Sequence, residues 1–127
     1  MRRKVINTSR APRALGPYSQ AVEANGTLYI SGQIAIDPET GKMVEGGVRE
    51  QTEQVLKNIS NILSAAGYRK KEVIKSTVYL DDIEDFGAMN EVYAAFYSEE
   101  PPARAAFEVA KLPAGAIIEI ETIAVKG

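Results

Sequence analysis

The spacing of apolar and polar positions changes several times along the chain, and each change marks an element. Residues 18–24 and 28–34 are apolar-rich and flank Asn25-Gly26. Both positions of a two-residue hairpin turn need positive φ, which Asn and Gly tolerate, so the two runs predict a β-hairpin. Asp37-Pro38-Glu39-Thr40-Gly41 reads as a turn. From Val48 to Ala66 the period becomes helical. Thr52, Val55, Leu56, Ile59, Ile62, Leu63 and Ala66 fall on one stripe, with Glu50, Glu53, Lys57 and Asn61 opposite. Gly67 supplies the stop.

Residues 73–80 form a run of β-prone residues. Asp85 is placed to cap a second helix, in which Phe86, Met89, Tyr93, Phe96 and Tyr97 share a face. Pro101-Pro102 end it. Two further strands, about 104–109 and 117–125, close the chain around Leu112-Pro113-Ala114-Gly115. The order ββ-α-β-α-ββ predicts an α+β domain, with a mostly antiparallel or mixed β-sheet carrying two helices on one face. On the last strand, alternation sets Ile118, Ile120, Thr122 and Ala124 on one side and Glu119, Glu121 and Ile123 on the other. Such a domain leaves one sheet face bare, and covering it with further subunits is the usual remedy, so an oligomer is expected.

Composition narrows the chemistry. At 127 residues, 45% of them apolar and 25% charged, the chain has the size and balance of a single globular domain spanning 1–127. A net charge of -2 provides no basic field for nucleic acid. No apolar run approaches the roughly 20 residues that span a bilayer, and none of signal-peptide length follows Met1-Arg2-Arg3-Lys4. The expected location is the cytosol, with no membrane partner. The chain has neither cysteine nor histidine, which removes disulfides, Cys nucleophiles, Ser-His-Asp triads and His-ligated metals. Asp81-Asp82 and Glu84-Asp85 lack the alternation and central glycine of a calcium loop, so no metal site is expected.

Five blocks in order carry a resemblance. Gly16-Pro17-Tyr18-Ser19-Gln20-Ala21, Ser31-Gly32-Gln33-Ile34, Asn90-Glu91-Val92-Tyr93, Pro102-Ala103-Arg104, and Leu112-Pro113 with Ile118-Glu119-Ile120-Glu121 are similar to the signatures of the reactive-intermediate deaminase (RidA, YjgF-type) family. The likeness covers nearly the whole chain. It implies a chorismate-mutase-like fold, a homotrimer with sites in clefts between adjacent subunits, and no cofactor. It also implies a reaction: hydrolysis of 2-imino acids such as 2-iminobutanoate and 2-iminopropanoate to 2-oxo acids and ammonia.

The matched residues suit that chemistry. A substrate carboxylate needs a planar two-donor partner, and Arg104 matches the family's carboxylate-binding Arg. Read without the resemblance, Arg104 is an ordinary cross-strand-paired surface Arg. Glu119 matches the acid/base Glu, with Glu121 its rival on the same strand face. Burial would raise the pKa of Glu119 and a nearby Arg104 would lower it. Tyr18 matches a tyrosine that closes over the substrate. Gly32 permits close approach of backbone to ligand, or marks a bulge. Asn90 matches a polar position near the pocket, though it could face solvent. Ala106 stands where many members have Cys; the family uses the backbone carbonyl there, which Ala keeps. Two other readings compete with the enzyme: a non-catalytic trimer that binds small carboxylates in the same cleft, and a ribonuclease, which an acidic chain without His supports poorly.

Overall fold

The computed structural model describes residues 2–127 and sets eight strands and two helices in chain order. They are β1 (Arg3–Ile6), β2 (Ala21–Ala24), β3 (Thr27–Gln33), β4 (Ile36–Asp37), β5 (Lys42–Met43), α1 (Val48–Ala65), β6 (Val73–Leu80), α2 (Phe86–Phe96), β7 (Ala103–Glu108) and β8 (Ile118–Val125). Six strands form one sheet in the order β1-β2-β3-β8-β6-β7, while β4 and β5 form a small separate hairpin. The β6–β7 pair is parallel and the rest are antiparallel, because α2 carries the chain across between β6 and β7. The expected α+β architecture with a mixed sheet is what forms.

Local chemistry explains most boundaries. Asn25 and Gly26 take φ of 51° and 75°, the geometry a two-residue hairpin needs. Gly67 follows α1 at φ 78°. Three expectations need correction. The first strand of the hairpin, β2, starts at Ala21, not residue 18, because Gly16-Pro17-Tyr18 folds into a turn in which the Tyr18 amide donates to the Gly16 carbonyl (2.8 Å). Asp85 precedes α2, but its side chain caps nothing; Asp82 instead accepts from the Glu84 amide (2.9 Å) in the turn before it. The strands β1, β4 and β5 were not expected. β1 buries only Ile6, and β4 and β5 have two residues each, so none shows a readable alternation.

Both helices lie on one face. Val55, Leu56, Ile59, Ile62 and Leu63 of α1 and Met89 of α2 are buried against Leu28, Val78, Leu80, Ile118 and Ile120 of the sheet. Each such side chain contributes about 1.5–3 kcal/mol when fully buried. Strand β8 divides as expected: Ile118, Ile120, Thr122 and Ala124 are buried, and Glu119, Glu121 and Ile123 face the open side. That open side also carries Val5, Tyr29 and Phe107, all more than two-fifths exposed. Among the described residues, no helix is long and apolar enough to cross a membrane.

Candidate active site

One group of site residues gathers on the open face. Pairing between β3 and β8 passes from Ile30–Thr122 to Gln33–Ile120, so Ser31 and Gly32 together oppose Glu121. This bulge bends β3 and redirects its side chains. The Ser31 hydroxyl donates to the Ser19 carbonyl (2.6 Å) and ties the bulge to the turn bearing Tyr18. Buried Gln20 fixes the loop before that turn. Its amide donates to the carbonyls of Thr8 (3.0 Å) and Pro12 (2.8 Å), and its oxygen accepts from the Thr8 amide (2.7 Å). These segments frame a cleft of about 550 Å³ walled by Tyr18, Ser31, Gly32, Pro113, Glu119 and Glu121, among others. Tyr18 is 53% exposed at the cleft.

Gly32 and Glu119 fit each other. A β-carbon added at Gly32 would overlap the Glu119 carboxylate and stand 2.8 Å from its Cδ. This glycine lies in a bulge, one of its two sequence readings, and its missing side chain leaves room for the Glu119 carboxylate. Glu119 is half-buried, and no described side chain or amide donates to it. Burial pushes its pKa up, and the Glu121 carboxylate two residues along pushes the same way. Within one chain Arg104 exerts no opposing pull, because it lies on the other face of the sheet. Glu121 is exposed and accepts a 2.6 Å hydrogen bond from the Tyr79 hydroxyl. That bond, together with burial, pushes the Tyr79 hydroxyl up to about 12.

Arg104, Asn90 and Ala106 form a second group on the helix side of edge strand β7. Phe86, Asn90 and Tyr93 recur at i, i+4 and i+7 and so share one side of α2. Asn90 Oδ1 accepts from Arg104 Nη1 at 2.7 Å. The guanidinium lies 4.8 Å from the Tyr93 ring centre and 5.4 Å from that of Phe86. Each such contact with an aromatic face adds about 0.5–1 kcal/mol or more when water is excluded. Arg104 is thus not the solvated surface residue of the simpler reading, nor does Asn90 face solvent. One of the five guanidinium N–H donors is used by Asn90, and a fork remains for a ligand carboxylate. Ala106 follows two residues along on the same face, opposite Val78.

Within one chain the two groups do not meet. Ser76, opposite Arg104, is fully buried beneath the helices, whereas Tyr79, opposite Glu119, points to the open face. Arg104 and Glu119 therefore stand on opposite sides of the sheet. Sequence reasoning did not find Gln20, Ser31 or Tyr79 as supports. Gln20 and Ser31 lie inside recognised blocks, but only the pairing of β6 with β8 brings Tyr79 to the two carboxyls. The aromatic cradle under Arg104 did leave a sequence signal, the i, i+4, i+7 spacing of Phe86, Asn90 and Tyr93.

The chain is similar to known proteins along nearly its whole length. A family model described as Endoribonuclease L-PSP matches residues 8–126. A 2-iminobutanoate/2-iminopropanoate deaminase of Mus musculus is 54% identical over 125 residues, which cover 98% of this chain and 93% of that protein. Among solved structures, a Yersinia pestis member of the conserved Rid protein family superposes with a TM-score of 0.96 at 46% identity, covering 98% of this chain and all of that one. E. coli TdcF, solved with bound serine, superposes with a TM-score of 0.92 at 41% identity, covering 98% of this chain and 99% of its own.

Proposed function

We propose, from the premise that this chain belongs to the Endoribonuclease L-PSP family, the RidA/YjgF group, that it is a deaminase hydrolysing 2-imino acids to 2-oxo acids and ammonia. The substrates are of the 2-iminobutanoate and 2-iminopropanoate class named for the mouse relative. Glu119 is the observation that carries the reading. A half-buried carboxyl with raised proton affinity, and with no hydrogen-bond donor among the described residues, lines a cleft cleared for it by Gly32. Such a group can take a proton from water as the oxygen adds to the imine carbon and deliver it to the nitrogen. The same carboxyl then carries the proton of the new hydroxyl to the amine, so that the C–N bond breaks, ammonia leaves and a carbonyl remains. Arg104 holds the substrate carboxylate, Asn90 aims Arg104, Tyr18 covers the cleft and Ala106 offers backbone. Serine, the ligand in the TdcF structure, carries the same α-carboxylate that Arg104 is proposed to bind.

This assignment requires two copies of the chain. With Arg104 and Glu119 on opposite faces, a complete site forms where the β7 edge of one subunit meets the open face of another. The exposed apolar side chains of that face support a homotrimer, and a cytosolic location agrees with the composition. The experiment is a serine/threonine dehydratase reaction timed for 2-oxo acid release with and without this protein. Acceleration supports the deaminase. Its absence favours the carboxylate-binding reading, and steeply salt-dependent RNA binding would favour the nuclease reading.

Two variants probe the geometry. Gly32→Ala should lower kcat/KM by roughly ten- to a hundredfold, because a displaced reacting group costs about that much. Its melting temperature should hold, since the Glu119 carboxylate can swing away from the added methyl. Mixing Arg104→Ala and Glu119→Gln subunits, each strongly impaired alone, should restore activity. With random assembly of a cyclic trimer, about one site in four receives both intact residues. A mixture as inactive as its parents would place both residues in sites made by a single chain.

A further inference from the structure

Two carboxyls two residues apart on one strand face compete for one role, and the structure treats them differently. Tyr79 stands directly opposite Glu119 in the β6–β8 pair, and its hydroxyl reaches diagonally to Glu121 Oε1 at 2.6 Å. The Tyr79 ring is braced by Phe107 of β7, edge to face, with centres 5.4 Å apart and planes at 89°. Glu119 has no such donor and points into the space beside Gly32.

We infer that Tyr79 is a positioning residue for the deaminase: by tying down Glu121, it leaves Glu119 as the carboxyl free to turn to the substrate. The inference rests on the deaminase reading of the site. The bond fixes the position of the Glu121 carboxylate beside Glu119. That neighbour is, after burial, the second of the two causes that push the proton affinity of Glu119 up. The remaining titratable groups around Glu121 are Lys75 of β6, Tyr29 of β3, Arg3 of β1, Tyr18 of the preceding turn and Arg13 of the loop before it. None of them makes an ion pair or hydrogen bond with Glu121 among the described residues. Strand β7 faces the pair with Ala105 and Phe107, which do not titrate.

The test is Tyr79→Phe, which keeps the ring and its packing on Phe107 and deletes only the hydroxyl. Without its donor, the Glu121 carboxylate is free to turn, and its place beside Glu119 is no longer fixed. The limb of the kcat/KM profile that reports Glu119 should move, and kcat should fall roughly tenfold, the weight of a hydrogen bond to a charged group. Glu121→Gln alone removes the negative neighbour and should move that limb to lower pH. In the Glu121→Gln background, Tyr79→Phe should then move nothing further. A Tyr79→Phe profile identical to wild type, or an equal shift in both backgrounds, overturns the inference. Failure of the wild-type chain to hydrolyse 2-imino acids overturns the deaminase reading instead, so the two failures are distinguishable.

Discussion

Glu119→Gln is expected to reduce kcat for 2-imino acids by about 10²–10⁴-fold, the usual weight of a positioned acid/base group. KM for the substrate should change little, because Arg104 and not Glu119 is assigned the carboxylate. The variant should nevertheless fold at least as well as wild type. Burial raises the folded-state pKa of Glu119 above its unfolded value. The folded chain therefore gains from this group while it is protonated, and the gain is lost as pH rises through the folded-state pKa. Glutamine has the same shape and nothing to ionise. Thermal unfolding above the carboxyl range should thus show equal or higher stability in the variant, alongside a collapse of turnover. A variant both unstable and inactive would give Glu119 a structural role. Full turnover would move the proton transfer to Glu121.

The second large effect belongs to Arg104→Ala. Loss of a charge-assisted contact costs about 1.5–3 kcal/mol, so substrate binding should weaken roughly ten- to a hundredfold. KM should rise, and turnover should fall further as the substrate loses its orientation. The oligomer should survive, since what is lost within the chain is the bond to Asn90 and packing on Tyr93 and Phe86. Arg104→Lys separates charge from shape. A lysine keeps the positive charge but lacks the planar two-donor fork, so it should restore little. Substrate titrations of the three proteins, with sedimentation to follow assembly, make the check. Unchanged KM in Arg104→Ala would remove the carboxylate anchor from the proposal.

Some of the site was legible in the sequence because its chemistry is local. Gly32 was readable as a bulge or as a close approach to a ligand; it lies in a bulge, and the space left by its missing side chain is taken by the Glu119 carboxylate. The alternation of β8 put Glu119 and Glu121 on one face without reference to any partner strand. The lone-residue reading of Arg104 failed, since Arg104 is half-covered on the helix side of edge strand β7 and bonded to Asn90 of α2, and nothing in a six-residue run announces which side a helix will cover. The competing pulls on the Glu119 pKa were likewise undecidable. They depend on whether Arg104 and Glu119 share a sheet face, a matter of strand parity and layer order.

Periodicity, turn residues and caps act over a few positions, so the sequence by itself determined both helices, the Asn25-Gly26 hairpin, the face of β8 and the absence of thiol and imidazole chemistry. What only the tertiary structure decided are relations between distant segments: the pairing of β6 with β8 that hands Glu121 to Tyr79, the bulge set against Glu119, and the separation of Arg104 from Glu119 across the sheet. Those depend on register and on which face the helices cover, and both are settled by burying the whole apolar surface at once rather than by any local run of residues.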